Sequence, residues 1–250
     1  MNPLPPKRGT PAHKLVMADA IDWAKHMIDL NAIVLDTETT GIGDQDEVIQ
    51  LAAMTIDGAV EKVQFFCPMK TKPSTKAVEV HGLSWEKLRN KDHFGTVYPK
   101  LRTMLKGKSL VAYNAAFDSR LLEQTIRIAG LEVFPTSWDC AMLKYAAYWG
   151  EINHRKRSYR WHKLTVARER HNLEVDGEAH DALVDVKLTI ELIKWMAEQN
   201  PSNEVGIKPT AQSQRDETPH DDFGPLFQEP PPVEDQEPPP PEDVEIPYLF

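Results

Sequence analysis

Three acidic clusters in the sequence place carboxylates where an ordinary fold has little use for them. The first is Asp36-Thr37-Glu38-Thr39-Thr40-Gly41, directly after an apolar run at residues 32–35. Burying an unpaired charge is expensive, so a carboxylate at the end of a buried strand is either emerging into solvent or held for chemistry. In an extended chain residues i and i+2 point to the same side, so Asp36 and Glu38 converge on one spot. Two carboxylates followed by a glycine turn suit a hard cation. The second cluster is Asn114-Ala115-Ala116-Phe117-Asp118, which follows a short apolar run ending at Tyr113. Asp118 there is either a helix cap or a group at the carboxyl edge of a sheet, where α/β proteins gather ligands. The third is His180-Asp181-Ala182 with Asp185, opening a helix whose buried face is marked by Ala182, Val186, Thr189, Ile190 and Ile193. His180 at such a junction is either a surface or capping residue or a proton acceptor.

A fourth feature is basic. Residues 153–163 hold five Arg or Lys residues, Arg157 and Arg160 among them, interleaved with Tyr159 and Trp161. Cations for phosphates and aromatic faces for unstacked bases suit single-stranded nucleic acid. The plainer alternative is a solvated loop whose Tyr159 and Trp161 pack inward.

The elements that must position these residues are legible from periodicity and turn signals. Helices are expected at residues 18–29, 117–129 (ended by Gly130), 140–149, 163–171 and 181–198, with two or three more within 75–106. Strands are expected at 32–35, 48–56, 60–66, 109–113 and 137–139, with Asp57-Gly58 as the hairpin turn between the second and third. Three strands first, then helices alternating with two more, give an α/β fold: a mixed five-stranded sheet flanked by helices.

The chain has 250 residues and a net charge of −9, but the two ends differ in kind. From residue 201 onward there are 12 of the 20 prolines and 12 acidic residues against Lys208 and Arg215, leaving residues 1–200 at +1. Three parts are therefore expected: a flexible arm at 1–16, one domain at 17–200, and a disordered acidic, proline-rich tail at 201–250, which lacks the apolar surface to offset its ordering entropy. No apolar run approaches the roughly 18–20 residues of a membrane span. Lys7 and Arg8 are followed by no apolar stretch of the kind that leads secretion. Cys67 and Cys140 have no metal-ligand spacing and read as reduced thiols. A cytoplasmic location with no membrane partner is expected.

Taken together and in this order, the three acidic clusters resemble those of the DnaQ-like (DEDD) 3′→5′ exonucleases, which have an RNase H-like fold. Residues 36–41 match the family's first motif, residues 114–118 its second, and His180-Asp181-Ala182 with Asp185 its third; the likeness runs from about Ile33 to Trp195. The His-x4-Asp spacing places the chain in the histidine branch. Val80-His81-Gly82-Leu83 resembles the family's substrate-side segment, whereas Tyr113 stands where many members have histidine. The resemblance implies that Asp36, Glu38, Asp118 and Asp185 hold two divalent cations, Mg²⁺ or Mn²⁺, and that His180 is the general base. An imidazole ordinarily titrates near pH 6.5, close to working pH. It further implies that Thr39, Thr40, Gly41, His81, Asn114 and Phe117 contact a nucleic acid with a free 3′ end. The expected activity is proofreading or processing of single-stranded DNA. RNA trimming is the alternative within the enzyme class, and a catalytically idle adaptor the alternative outside it.

The tail carries two related peptides, Asp222-Phe223-Gly224-Pro225-Leu226-Phe227 and Glu245-Ile246-Pro247-Tyr248-Leu249-Phe250. Phe223, Leu226 and Phe227, and Ile246, Leu249 and Phe250, are candidate anchors for docking a sliding clamp, a single-strand-binding protein or a polymerase. They partly resemble the Leu-Phe ending of clamp-binding peptides and the acidic ends of bacterial single-strand-binding proteins. Chance recurrence in a biased tail is the competing explanation.

Overall fold

Alternation along the first strand sets the architecture. In a computed structural model, which describes residues 3–177 and 180–201, β1 (Ile33–Thr39) is the middle of a five-stranded sheet. Ile33 and Leu35 enter one apolar core and Val34 the other, so β1 is buried on both faces. β2 (Val48–Thr55) pairs antiparallel with β1, with Leu35 opposite Ala53, and β3 (Glu61–Phe65) pairs antiparallel with β2. On the other side β4 (Ser109–Ala112) and β5 (Ser137–Cys140) run parallel to β1. The order β3-β2-β1-β4-β5 is the expected mixed sheet.

Helices cover both faces. α4 (Phe94–Leu105) and α5 (Ala115–Ile128) pack with Ile33, Leu35, Leu51 and Leu110. α1 (Pro11–Asp29), α6 (Ala141–Trp149), α7 (Leu164–His171) and α8 (Ala182–Ala197) contribute to the core around Val34, Ala52 and Val111. Two short helices, α2 (Thr75–His81) and α3 (Trp85–Leu88), lie between β3 and α4. The Asp57-Gly58 hairpin forms as expected, with the Gly58 N–H donating to Thr55 O at 2.8 Å. Among the described residues no helix is long and apolar enough to cross a membrane. Cys67 and Cys140 are free thiols, Cys67 buried and Cys140 partly so.

Three sequence expectations need correction. The first helix begins at Pro11, not near residue 18, so the segment 1–16 is not a loose arm throughout. Thr10 caps the helix by accepting from the His13 N–H at 3.2 Å, and Pro11 fits the first turn, where its missing N–H costs nothing. By composition alone that proline reads as a breaker. β1 also runs to Thr39, carrying the first acidic cluster inside the strand. Finally, the basic loop contains a small hairpin, β6 (Ile152–Asn153) and β7 (Ser158–Tyr159). The peptides around Phe223, Leu226 and Phe227 and around Ile246, Leu249 and Phe250 lie outside the described residues.

Candidate active site

Asp36 and Glu38 share the parity of Val34, so they leave β1 on the face covered by α8. There they meet Asp185, the fourth residue of α8: carboxylate oxygens of Asp36, Glu38 and Asp185 all lie within 4.8 Å of one another. Thr37 has the opposite parity and meets α5. Its backbone N–H and its hydroxyl both donate to Asp118 Oδ1, at 3.0 and 2.8 Å. Asp118 is therefore not a cap. Asn114 occupies the capping position of α5, and Asp118 is the fourth residue of the helix, 3% exposed. β1 thus presents one pair of carboxylates directly and holds the Asp118 carboxylate through the residue between them.

The electrostatics show that these groups resist ionisation when gathered without a counter-charge. Burial pushes Glu38 up from an ordinary 4.5 to about 8, with Asp185 and Asp118 adding to the shift. Burial likewise raises Asp118 to about 7 despite the two Thr37 hydrogen bonds. Asp36 keeps a solvent-facing edge, yet dense protein around it raises its pKa well above the usual carboxylate range, and the charges on Asp118 and Glu38 add to this. Burial also raises Asp185, against the nearby His180 and Arg168. Such a set of oxygen donors, each disfavoured as a bare anion, fits hard divalent cations. Metal ions are implied by the acidic cluster Asp36, Glu38 and Asp185.

His180 sits just ahead of α8 in left-handed backbone, φ 66°. Such a conformation is uncommon for a non-glycine residue. Here the His180 N–H donates to Asp185 Oδ2 at 3.3 Å, which ties the backbone of the imidazole-bearing residue to the carboxylate cluster. Asp181 caps α8 through the Leu183 and Val184 N–H groups. Its charge reaches Asp36, Glu38 and Asp185, making it a fifth carboxylate of the neighbourhood. Sequence reasoning assigns Asp181 no role, although its place beside His180 is visible. Arg168, also without a sequence signal, donates to Val175 O at 2.6 Å from the end of α7.

The residues after Glu38 fold into a polar staple. Thr39 Oγ1 donates to Gly41 O at 2.7 Å. Thr40, fully buried, donates to Asp46 Oδ1 at 2.7 Å and accepts from the Glu47 N–H at 2.9 Å, so its hydroxyl serves the loop and offers nothing to a ligand. Gly41 is required by proximity: a Cβ there would lie 2.6 Å from Asp46 Oδ2. The buried Glu47 carboxylate accepts from the N–H groups of Met69, Lys70 and Thr71, at 2.9, 2.6 and 3.1 Å. His81 closes the staple. Its Nδ1 accepts from the Leu83 N–H at 3.0 Å, so the proton lies on Nε2, which donates to Thr39 O at 3.1 Å. Burial lowers its pKa, in keeping with a neutral ring. Both ring nitrogens of His81 are thus committed within the protein.

The remaining expected contacts divide. Asn114 lies between Tyr113 and α5, and its buried Oδ1 has no hydrogen-bond partner among the described residues. Phe117 is half-buried, with the Arg120 guanidinium 5.7 Å from its ring centre. In the basic hairpin, Tyr159 turns inward and donates to Pro6 O at 3.0 Å. Arg160 pairs with Glu151 at 2.9 Å. Trp161 is half-buried, with Lys156 Nζ 5.3 Å from its ring centre, and Arg157 takes a left-handed turn conformation. Tyr113 donates to His162 O at 2.6 Å and so fastens the hairpin's exit to the end of β4.

Known proteins resemble this chain to differing extents. The RNase T exonuclease family matches residues 33–193. The uncharacterised exonuclease CP81 of Escherichia phage 186 is 32% identical over 180 residues, covering 70% of this chain and 92% of the phage protein. The PolC-type DNA polymerase III of Thermotoga maritima is 35% identical over 108 residues, covering 42% of this chain but only 8% of that much longer protein. Among solved structures, exonuclease X in complex with 5′ overhanging duplex DNA superposes with a TM-score of 0.52 at 21% identity, over 68% of this chain and 95% of that one. The nuclease domain of 3′hExo bound to rAMP gives a TM-score of 0.54 at 18% identity, over 66% and 90%. At those identities the superpositions speak for the RNase H-like fold; the family match and the phage relative speak for descent. The chain belongs to the RNase T-type, DEDDh family of 3′→5′ exonucleases.

Proposed function

We propose that the protein releases nucleoside 5′-monophosphates one at a time from the 3′ end of single-stranded DNA, in proofreading or in repair-type processing. The observation that carries this reading is the convergence of Asp36, Glu38 and Asp185 within 4.8 Å, with the charge of Asp118 acting on Asp36 and Glu38. Asp36, Glu38, Asp118 and Asp185 would hold two divalent cations, Mg²⁺ or Mn²⁺, which supply an activated water and stabilise the departing 3′ oxygen. His180 accepts the proton of the attacking water. A new bond forms between that oxygen and phosphorus, the P–O3′ bond breaks, and the departing O3′ takes a proton from solvent, so the shortened strand ends in a 3′ hydroxyl. Thr37 holds Asp118 in register, and the Thr39–Gly41 backbone, fixed by Glu47 and His81, offers the surface for the terminal nucleotide. The unmatched Asn114 Oδ1 and the Phe117 ring are further contacts for that nucleotide, and the cations of the basic hairpin are contacts for the strand behind it. DNA is favoured by the likeness to the PolC-type DNA polymerase III of Thermotoga maritima. RNA is the second reading, supported by the ribonucleotide named with 3′hExo. The tail peptides are proposed as docking elements for a replication protein.

The test is a pair of 5′-labelled strands of one sequence, DNA and RNA, incubated with Mg²⁺ or with EDTA. The expected result is a ladder shortening from the 3′ end of the DNA, abolished by EDTA. A faster ladder on RNA selects the second reading. Intact strands of both kinds would leave only the adaptor.

A further inference from the structure

Residues 3–9 lie outside the family match, which begins at residue 33, yet they are built against the basic hairpin. Tyr159 of β7 donates to Pro6 O at 3.0 Å, and its ring meets the His13 ring edge-on at 5.9 Å between centres. His13 is fully buried; its Nε2 lies 3.1 Å from Ala147 O, and it packs so closely on Gly150 that a Cβ there would sit 2.1 Å from that nitrogen. The Arg8 guanidinium lies 4.0 Å from the centre of the Trp149 ring, and Arg170 lies 3.8 Å from the same ring. These contacts fix the path of the segment over the end of α6 and onto β7.

The two pieces carry the same sign. Residues 3–9 include Lys7 and Arg8 and no acid; residues 153–163 include Arg155, Lys156, Arg157, Arg160 and Lys163 and no acid. Glu151, just before the hairpin, pairs with Arg160 and lies 3.6 Å from His162. Lys7, Arg155, Lys156, Arg160 and Lys163 are exposed. Gathering like charges from distant parts of the sequence is unfavourable in itself, and a polyanion offsets it. The hairpin's exit is tied to the segment that leads into the second acidic motif: Tyr113, one residue before Asn114, donates to His162 O at 2.6 Å. We propose that residues 3–9 and the β6–β7 hairpin form one composite cationic face that holds single-stranded nucleic acid behind the cleavage site. This rests on the exonuclease reading and adds to it a role for the N-terminal segment.

The experiment compares kcat/KM on a long single strand with kcat/KM on a dinucleotide, which is too short to reach the face. Full-length Lys7→Gln/Arg8→Gln, Arg155→Gln/Lys156→Gln and Tyr159→Phe proteins are measured against wild type. The long-to-short ratio should fall about tenfold in each double variant at 0.1 M salt. The slope of log affinity against log salt should shrink by about 0.7 for each phosphate that is no longer neutralised. Tyr159→Phe, which removes only the tie to Pro6, should lower the ratio in the same direction. A ratio unchanged in Lys7→Gln/Arg8→Gln overturns the proposal. That includes the case in which both substrates decline together, because that pattern marks a structural disturbance. Wild-type protein inert on both substrates would instead overturn the exonuclease reading beneath it.

Discussion

At the scale of single residues, the carboxylates are unequal in placement and alike in consequence. Asp36→Ala removes a ligand from the middle of the cluster and should abolish nearly all strand shortening while leaving the fold intact, since it relieves repulsion from Asp118 and Glu38. Undiminished cleavage by this variant would refute the site. His180→Ala should lower turnover by about 10²–10⁴-fold, the usual weight of general-base catalysis, with strand affinity little changed; a loss within threefold would place the base elsewhere. The raised carboxylate pKa values also make a statement about stability. Glu38 goes from an ordinary 4.5 to about 8 and Asp118 from 3.8 to about 7. Between those limits the folded, metal-free protein binds protons that the unfolded chain has released. The stability these two groups contribute is therefore fully present below the ordinary carboxylate values and is lost as pH rises through about 7–8. At roughly 1.4 kcal/mol per pKa unit the Glu38 contribution is on the order of a few kcal/mol. Calorimetry in EDTA should give a lower Tm at pH 8 than at pH 5, with Mg²⁺ restoring more at pH 8, and Glu38→Gln should flatten the dependence. A metal-free Tm that does not fall across this range would contradict the burial argument.

At the scale of elements, the sequence shows what is local and conceals what is brought together from afar. The hairpin at Asp57-Gly58, the i, i+2 pairing of Asp36 and Glu38 and the helix carrying Asp185 all follow from spacing along one segment. The Thr10-Pro11 helix start is equally local, but its proline resembles those of a loose arm, and only the cap distinguishes it. Glu47 is beyond such reach: nothing near it indicates that its carboxylate will collect three N–H groups from residues 69–71. Asp118 is marked by its motif, yet its partner Thr37 emerges only once α5 is laid across β1. The staple has a measurable weight. Glu47→Ala leaves buried donors unmatched and should cost roughly 1–3 kcal/mol, read as a lower urea midpoint at unchanged m. Because Thr40 O accepts from the Ser74 N–H at 2.9 Å and Thr39 O from His81, the same change should raise KM more than it lowers kcat. A midpoint equal to wild type would mean that Glu47 is not the keystone of that loop.

At the scale of the whole molecule, the acidic tail and the near-neutral domain have separable chemistry. Every residue assigned to cleavage lies before residue 201, and the last helix among the described residues ends at Ala197. A chain ending at Asn200 should therefore retain full activity on short free oligonucleotides. The tail's contribution should appear only when a partner delivers the substrate. Phe223, Leu226 and Phe227 are one candidate anchor and Ile246, Leu249 and Phe250 the other, separated in sequence by the proline runs Pro230–Pro232 and Pro238–Pro241. Each peptide alone should bind weakly, because a short segment that becomes ordered only on binding loses a few kcal/mol of its interaction energy to that ordering. Two copies gain by effective concentration on a ring-shaped partner if the spacer reaches both sites. Titration of a sliding clamp and of a single-strand-binding protein with wild type, Leu249→Ala/Phe250→Ala and the Asn200-terminated chain should give graded affinity: tightest for wild type, weaker for the double variant, absent for the truncation. If wild type and truncation bind alike, the partner is recognised by the domain. If none of the three binds, the paired peptides are a coincidence of composition, and the tail's 12 acidic residues and prolines act only through charge and reach.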